Sequence, residues 1–370
     1  MKEFSAADER FMRRALVLAE RGRGTTRPNP IVGAVVVRGG RVIAEGFHRR
    51  AGEPHAEVNA LNALRGGPAA ARGATIYVTL EPCCHVGRTG PCTEAVLAAR
   101  PARVVVGCGD PNPLVDGGGI RRLRRAGIRV DVGCLEAECR EAIRAYAIWV
   151  REQRPLVTLK AAATLDGAIA DGVRRAARRP VWITGPRARQ VAHELRAAHD
   201  AVLVGAGTVR ADDPHLTVRL PRPTMRLPNL TRAGGGRAGA KQGPLRVVLA
   251  GRRALPKRAR VLDSAAPSLV LTRAHRGGGL RRALAMLARQ GIQSLLVEGG
   301  ATIHGAFIAA GLVDRVAFFF APRLLGAGIP IAAGLGRAME KAVRLGPLTV
   351  RTVGDDLLIT GDVLQAKRSR

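Results

Sequence analysis

The sequence has few aromatic residues, few cysteines, few acidic residues and no long apolar run. Among its 370 residues are 29 Asp and Glu against 60 Lys and Arg, and aromatic residues make up only 3%. Proteins that bind single-stranded nucleic acid stack bases on aromatic rings beside their basic groups. The low aromatic content therefore argues against a nucleic-acid partner, whereas the net charge of +31 suits small anionic molecules such as phosphates.

The absence of a long apolar run and the small number of cysteines indicate the cellular compartment in which the protein is expected to work. No segment approaches the ~18 uncharged apolar residues of a membrane helix, and the start MKEFSAADER lacks the apolar core of a secretory signal. Six cysteines in a chain of this length do not make a disulfide scaffold. We therefore expect a cytoplasmic enzyme without a membrane partner. Cys108, Cys134 and Cys139 lie apart from the other cysteines and are expected to be structural.

What the sequence does contain is a repeated alternation of strand and helix patterns. In the first part, strands are predicted at 31–37, 41–46, 74–80 and 102–108, and helices at 7–22, 55–64 and 93–99. In the second part, strands are predicted at 156–163, 181–184, 201–205, 245–250, 268–272, 294–300 and 316–322. The alternation predicts two α/β domains, residues 1–150 and 151–370. Residues 219–243, rich in Pro, Gly and basic residues, are predicted to form a flexible loop.

One stretch, EPCCHVGRTGPC from Glu81 to Cys92, holds three of the six cysteines. A catalytic zinc takes three protein ligands and keeps a fourth position for water. His55, Cys83 and Cys92 would supply one imidazole and two thiolates, and Glu57 would stay free to carry protons. Cys84 adjoins a ligand and is badly placed to be another. A redox pair or scattered structural thiols are the alternatives to a metal site.

The order of these motifs is that of zinc deaminases, in which H-x-E is followed by P-C-x-x-C. Here eight residues separate Cys83 from Cys92, where that pattern has two. Zinc would make water available as a nucleophile near neutral pH, and Glu57 would pass its proton to the ring nitrogen and the leaving ammonia. The long spacing argues against a cytidine or tRNA-adenosine deaminase.

With these motifs the chain resembles the bifunctional deaminase–reductases of riboflavin biosynthesis. Further matching segments are PNPIVG (28–33), GFHRRAG (46–52), TLEPC (79–83) and DPNP (110–113). The resemblance implies an N-terminal cytidine-deaminase-like domain of three α/β/α layers. It would deaminate 2,5-diamino-6-ribosylamino-4(3H)-pyrimidinone 5′-phosphate. Asn29, His48 and His85 become candidate substrate contacts, although each would also serve as a turn or packing residue.

The resemblance continues from about residue 155 to residue 360. The matching motifs are LK (159–160), LDG (165–167), WITG (182–185), GAGTV (205–209), DDP (212–214) and VEGGAT (297–302). It implies a dihydrofolate-reductase-like α/β domain that uses NADPH to reduce the ribosyl group to a ribityl chain. A strand, a glycine turn and a helix also suit a pyrophosphate on physical grounds. The G-x-G-x-x-G fingerprint of a Rossmann domain is absent.

The resemblance also assigns residues to the reductase half. Lys160 and Asp212 are candidate catalytic residues, and Lys160 would hold a ribose hydroxyl or donate a proton. The residues expected near NADPH are Ala162, Trp182, Thr208, Asp212, Gly300, Ala301, Thr302, Ile303, His304, Gly305 and Ala306. The residues expected near the substrate are Arg196, Leu216, Arg219 and Glu298. Pro180 and Ala250 depart from the family pattern, since each replaces a polar residue.

Three hypotheses follow from the sequence. The first is a bifunctional enzyme that needs Zn²⁺ and NADPH and forms a homo-oligomer. The second, motivated by Pro180 and Ala250, is a monofunctional deaminase with a non-catalytic reductase-like domain. The third, a basic nucleic-acid-binding deaminase, rests on net charge alone.

Overall fold

The structure is a computed structural model that describes residues 3–86, 90–172, 181–220, 243–251, 253–272 and 279–364. The described chain divides into two compact units, one ending at Gln153 and the other beginning at Arg154. Both are mixed α/β structures, which confirms the predicted fold class. Pro180 and most of the predicted 219–243 loop lie outside the described residues. No helix in the described part of the chain is long and apolar enough to cross a membrane.

The first unit contains one sheet with helices packed against it. Its strands are β1 (Gly33–Arg38), β2 (Arg41–Phe47), β3 (Thr75–Leu80), β4 (Arg103–Cys108) and β5 (Arg129–Val132). Its helices are α1 (Ala6–Ala19), α2 (Ala56–Asn62), α3 (Cys92–Ala99), α4 (Gly118–Arg125), α5 (Glu136–Ala142) and α6 (Arg144–Glu152). The strand order is β2-β1-β3-β4-β5, with β1 antiparallel to its neighbours and β3, β4 and β5 parallel. The parallel strands β3 and β4 therefore end at the same edge of the sheet.

Close packing of α2 on β2 places the helix that begins directly after His55. A Cβ atom on Gly46 would lie 2.3 Å from the amide nitrogen of Ala60 and 2.4 Å from the carbonyl oxygen of Ala56. Only glycine allows this approach of helix to strand. The start of α2 is thereby fixed against the sheet.

The three cysteines expected to be structural lie inside the first unit. Cys108, Cys134 and Cys139 are all fully buried among apolar side chains. Burial raises the pKa of each thiol. They behave as small apolar residues of the core.

The second unit contains one main sheet and a separate sheet of two short strands, residues 168–170 and 329–330. The strands of this unit are β6 (Leu156–Thr164), β7 (Ala168–Ala170), β8 (Ala201–Gly205), β9 (Leu245–Ala250), β10 (Ser268–Thr272), β11 (Ser294–Val297), β12 (Arg315–Ala321), β13 (Ile329–Pro330), β14 (Thr349–Val353) and β15 (Asp356–Asp362). Its helices are α7 (Pro186–Ala198), α8 (Ala206–Asp212), α9 (Gly279–Arg289) and α10 (Ala301–Ala309). The main sheet has the order β10-β9-β8-β11-β6-β12-β15-β14. Its strands from β10 to β12 are parallel, and β15 and β14 are antiparallel.

One predicted strand of the second unit is wrong. Residues 181–184 form no strand, and Val181 and Trp182 expose 61% and 56% of their surface. The short apolar run VWI suggested a buried strand, but it lies at the surface just before α7. A short apolar run alone does not establish burial.

Candidate active sites

The three predicted metal ligands come together in the first unit. His55 is the residue directly before α2, Cys83 follows β3, and Cys92 is the first residue of α3. Nδ1 of His55 lies 3.0 Å from Sγ of Cys92 and 3.5 Å from Sγ of Cys83. The two sulfur atoms are 3.4 Å apart. In the described part of the chain, these residues form the one group whose ligand atoms are spaced to hold a metal ion.

The charges of these three groups suit a soft cation. Contacts with Cys92 and His55 lower the pKa of Cys83 to about 4, despite its burial. The thiol of Cys83 and burial raise the pKa of Cys92, so that the two sulfurs compete for one proton. Two sulfurs and one imidazole nitrogen at these distances are a donor set that zinc prefers. The residues present therefore fit a zinc ion, which would relieve the competition between the thiols.

Glu57 lies in the first turn of α2, beside these donors. It is only 3% exposed, and burial raises its pKa to about 7. Its carboxyl group also contacts Cys92. A carboxyl group that gains and loses a proton near neutral pH suits a general acid and base.

His48 and Asn29 lie next to the metal ligands. The ring of His48 meets the ring of His55 edge-on, with centroids 4.9 Å apart. Nδ2 of Asn29 donates to Nε2 of His48 at 3.1 Å, and Nδ1 of His48 donates to the carbonyl oxygen of Pro54 at 3.2 Å. Burial lowers the pKa of His48, which agrees with a neutral ring that carries its proton on Nδ1. These two bonds hold the His48 ring where it packs against the His55 ring.

His85 and Cys84 occupy different surroundings. Nδ1 of His85 is buried and has no hydrogen-bond partner among the described residues. Asp110 lies near His85, and burial raises the pKa of Asp110 to about 6. Sγ of Cys84 lies 2.8 Å from the position that a Cβ on Gly118 would take, and Cys84 does not belong to the group of ligands.

Sequence reasoning missed the role of Glu81, which precedes Pro82 and Cys83. Glu81 is 3% exposed, and its oxygens accept the backbone N–H groups of Asp110 (3.3 Å), Gly117 (3.2 Å) and Ile120 (3.1 Å). One carboxylate therefore fixes the segment after β4 against the segment that carries Cys83. The available signal was an acidic residue directly after the apolar run of β3.

In the second unit, the structure brings together three charged residues predicted from the resemblance, Lys160, Arg196 and Glu298. Nε and Nη2 of Arg196 donate to the two carboxylate oxygens of Glu298 at 2.5 and 2.7 Å. Nζ of Lys160 lies 3.9 Å from Glu298. Nη1 of Arg196 also donates to the carbonyl oxygen of Thr217 at 3.3 Å, close to Leu216 and Arg219. Burial lowers the pKa of Lys160, although Glu298 opposes this effect.

His193 is a further member of this cluster that sequence reasoning missed. Its Nδ1 accepts the backbone N–H of Arg219 at 3.4 Å. Burial, Arg196 and Arg219 lower the pKa of His193 to about 4, so the ring is neutral near pH 7. Its position three residues before Arg196 on α7 places both on one helix face, which was the available signal.

The glycine turns after β8 and β11 lie side by side. The N–H of Gly205 donates to the carbonyl oxygen of Gly299 at 2.9 Å. A Cβ on Gly300 would lie 3.4 Å from Oγ1 of Thr208. Gly205 precedes α8 and Gly300 precedes α10, so two helices begin at neighbouring points of the sheet edge. Adjacent helix starts next to glycine backbone suit phosphate oxygens.

The remaining residues predicted to lie near NADPH differ in their exposure and in the element that carries them. Trp182 is exposed, stacks under the guanidinium of Arg189 at 4.8 Å, and accepts a bond from Arg323 through its carbonyl. Asp212 ends α8 at the surface, and Ala162 lies within β6. Within α10, Thr302 is exposed, Ala301 is buried, and Ile303 and Ala306 are half-buried. The side of α10 with His304 and Gly305 packs on residues 331–333.

Comparisons with known proteins divide the chain in the same way. The family model of the cytidine and deoxycytidylate deaminase zinc-binding region matches residues 5–108, and that of the RibD C-terminal domain matches residues 155–359. The riboflavin biosynthesis protein RibD of Aquifex aeolicus is 40% identical in an alignment that covers 95% of this chain and 97% of that protein.

Solved structures agree over nearly the full length. RibD of Acinetobacter baumannii has a TM-score of 0.81 and 36% identity, with 97% of this chain and 99% of that chain covered. A diaminohydroxyphosphoribosylaminopyrimidine deaminase/5-amino-6-(5-phosphoribosylamino)uracil reductase of Thermotoga maritima has a TM-score of 0.83 and 35% identity at the same coverage. From this similarity and the two sites, the chain belongs to the RibD family of riboflavin biosynthesis proteins and joins a zinc-binding deaminase domain to a reductase domain.

Proposed function

We propose that the protein deaminates 2,5-diamino-6-ribosylamino-4(3H)-pyrimidinone 5′-phosphate in its first domain and then reduces the ribosyl group of the product with NADPH in its second. The deaminase is assigned to residues 1–150 and the reductase to residues 151–370. The observation that carries the proposal is the convergence of His55, Cys83 and Cys92 beside the buried carboxyl of Glu57.

In the deaminase, the protein side chains hold the ion, move protons and orient the ring. Zinc bound by His55, Cys83 and Cys92 would supply a Lewis acid that makes water a nucleophile near neutral pH. Glu57, with a pKa raised to about 7, carries the first proton of the attacking water to the ring nitrogen and the second proton to the departing amino group, which leaves as ammonia. The buried, unpartnered nitrogen of His85 is available to a polar group of the substrate.

In the reductase, the proposed roles follow the charged cluster and the glycine turns. NADPH would supply the hydride that reduces C1 of the ribosyl group. The ammonium group of Lys160, 3.9 Å from Glu298, holds a sugar hydroxyl or donates the proton that balances the hydride. Arg196 and Arg219 suit the substrate phosphate, and the turns at Gly205 and Gly300 suit the pyrophosphate of the nucleotide.

The monofunctional alternative rests on Ala250, because Pro180 lies outside the described residues. Ala250 is an apolar residue at the end of β9. The cluster of Lys160, Arg196 and Glu298 has all of its charged groups in contact, which favours a working reductase. A homo-oligomer remains part of the proposal.

The first test is release of ammonia from the diaminopyrimidine substrate by the Glu57→Gln protein. Loss of the proton carrier is expected to slow deamination by at least about 100-fold. Bound zinc should stay at the wild-type stoichiometry, and reduction of the deaminated product should be unaffected. Glu53→Gln, an exposed change on the turn before His55, serves as the control. Wild-type ammonia release by Glu57→Gln would refute the assigned role.

A further inference from the structure

Arg246, the second residue of β9, is fully buried, and its guanidinium lies among backbone carbonyls. Nη1 donates to the carbonyls of His215 (3.3 Å) and Arg260 (3.2 Å) and to Oδ1 of Asp263 (2.7 Å). Nη2 donates to the carbonyls of Asp263 (2.5 Å) and Ala266. Burying an arginine is costly unless its donors are satisfied, and here both Nη atoms have partners while Nε has none among the described residues. Neither proposed reaction uses this residue, so its burial serves another purpose.

Asp263 extends the contacts of Arg246 to the ring of His215. Oδ2 of Asp263 lies 3.3 Å from Nδ1 of His215. A second hydrogen bond lies just before His215 in the chain, where Oδ1 of Asp213 accepts the backbone N–H of Arg260 at 2.9 Å. Backbone and side-chain contacts therefore hold residues 213–215 against residues 260–266.

The residues that follow His215 reach the charged cluster of the reductase. Leu216 is buried and adopts a positive φ of 55°, which turns the chain. The carbonyl of Thr217 accepts a bond from Arg196, the partner of Glu298. The N–H of Arg219 donates to His193. The segment from residue 215 to residue 219 therefore contacts Arg246 at its first residue and the proposed substrate site at its last residues.

We propose that Arg246 is a positioning residue of the reductase. Through Asp263 and His215 it fixes residues 215–219 in the register that places Thr217 and Arg219 beside Arg196, and so sets the affinity for the phosphorylated substrate. A planar guanidinium can serve several carbonyls at once, whereas a lysine ammonium at the same depth cannot reach them all. The inference rests on the proposed reductase function.

The test compares Arg246→Lys with the wild-type full-length protein, with deaminated substrate and NADPH varied in turn. A misplaced segment is expected to raise KM for the phosphorylated substrate by at least about tenfold. KM for NADPH should change by less than about twofold, because the glycine turns are not held by Arg246. Ammonia release in the same chain reports on the integrity of the first domain. Arg253→Lys, an exposed change on the segment that follows β9, is the matched control.

Two milder variants keep the test decisive if Arg246→Lys does not fold. His215→Gln leaves Arg246 and its partners in place and weakens only the contact between Asp263 and His215. Asp263→Asn weakens the same contact and also removes the negative charge beside Nη1 of Arg246. Each is expected to raise KM for the phosphorylated substrate in the same direction, with NADPH affinity retained. An unchanged substrate KM in these folded variants, or equal losses for both substrates, would overturn the inference. An inactive wild-type reductase would instead refute the proposed function itself.

Discussion

Glu298 is a single residue whose charge organises the second site. Burial alone would raise its pKa, but Arg196 and Lys160 outweigh burial and hold the pKa at about 2. A carboxyl whose pKa is lowered on folding stabilises the folded state above its unfolded pKa, near 4.5. That stabilisation is lost as the pH falls through about 2. Glu298 therefore remains charged at neutral pH and keeps Arg196 in place.

At this scale we predict the effect of Glu298→Gln. The change keeps the size of the side chain but leaves Arg196 and Lys160 without their buried counter-charge. Reductase kcat/KM is expected to fall by at least about tenfold, and deamination should be unchanged. Steady-state kinetics of both reactions on one preparation measure this, with the exposed Glu340→Gln as control. Reductase kcat/KM equal to that of wild type would contradict the role assigned to this carboxylate.

At the scale of elements, the position of α2 matters most for the first site. This helix carries Glu57 in its first turn and begins directly after His55. Nδ2 of Asn59, further along the helix, donates to the carbonyls of Phe47 and Pro54, both at 2.9 Å. Together with the close approach at Gly46, these bonds fix the depth and rotation of the helix. The proposed metal ligand His55 and the proposed proton carrier Glu57 are therefore positioned by α2.

We predict that Gly46→Ala disturbs zinc binding from a distance. The added methyl group would lie 2.3 Å from a backbone nitrogen of α2, so the helix must shift. Overpacking of this kind costs about 1–3 kcal/mol of stability. We expect weaker zinc retention and slower deamination, with reduction unaffected. Gly90→Ala is the control, since a Cβ there meets no other described residue within 4 Å, although Gly90 lies two residues from Cys92. The zinc content of each variant is measured after dialysis. Equal zinc content in the two variants would contradict the predicted effect of Gly46→Ala.

Most strands could be predicted because they are rich in apolar residues and largely buried. The patterns at 74–80 and 245–250 correspond to β3 and β9. The strand predicted at 181–184 was wrong because its apolar residues are exposed. The hairpin of β14 and β15 was overlooked because β14 exposes most of its residues. The burial of a strand depends on the elements that pack against it in the fold. The local pattern of apolar and polar residues therefore predicts burial only in part.

At the scale of the whole molecule, the zinc ligands were predictable because their spacing and residue types are specific. Their convergence to within 4.8 Å agrees with that prediction. Glu81, His193 and Arg246 were not predictable from motifs. Their partners are mainly backbone groups, and most lie far along the chain. Backbone partners leave little trace in residue type, so the roles of these positions follow from the fold, although Glu81 and His193 each carry a weak signal in the sequence.

The central claim, that one chain deaminates and then reduces, is tested most directly by a single coupled assay. Purified protein receives the diaminopyrimidine substrate and NADPH, with no other enzyme, while ammonia and the absorbance of the reduced nicotinamide are followed. NADPH is expected to be consumed after ammonia appears. Zinc-stripped protein is expected to consume NADPH only when the deaminated product is supplied. Ammonia release with no loss of NADPH, or NADPH loss by zinc-stripped protein given only the first substrate, would contradict the account.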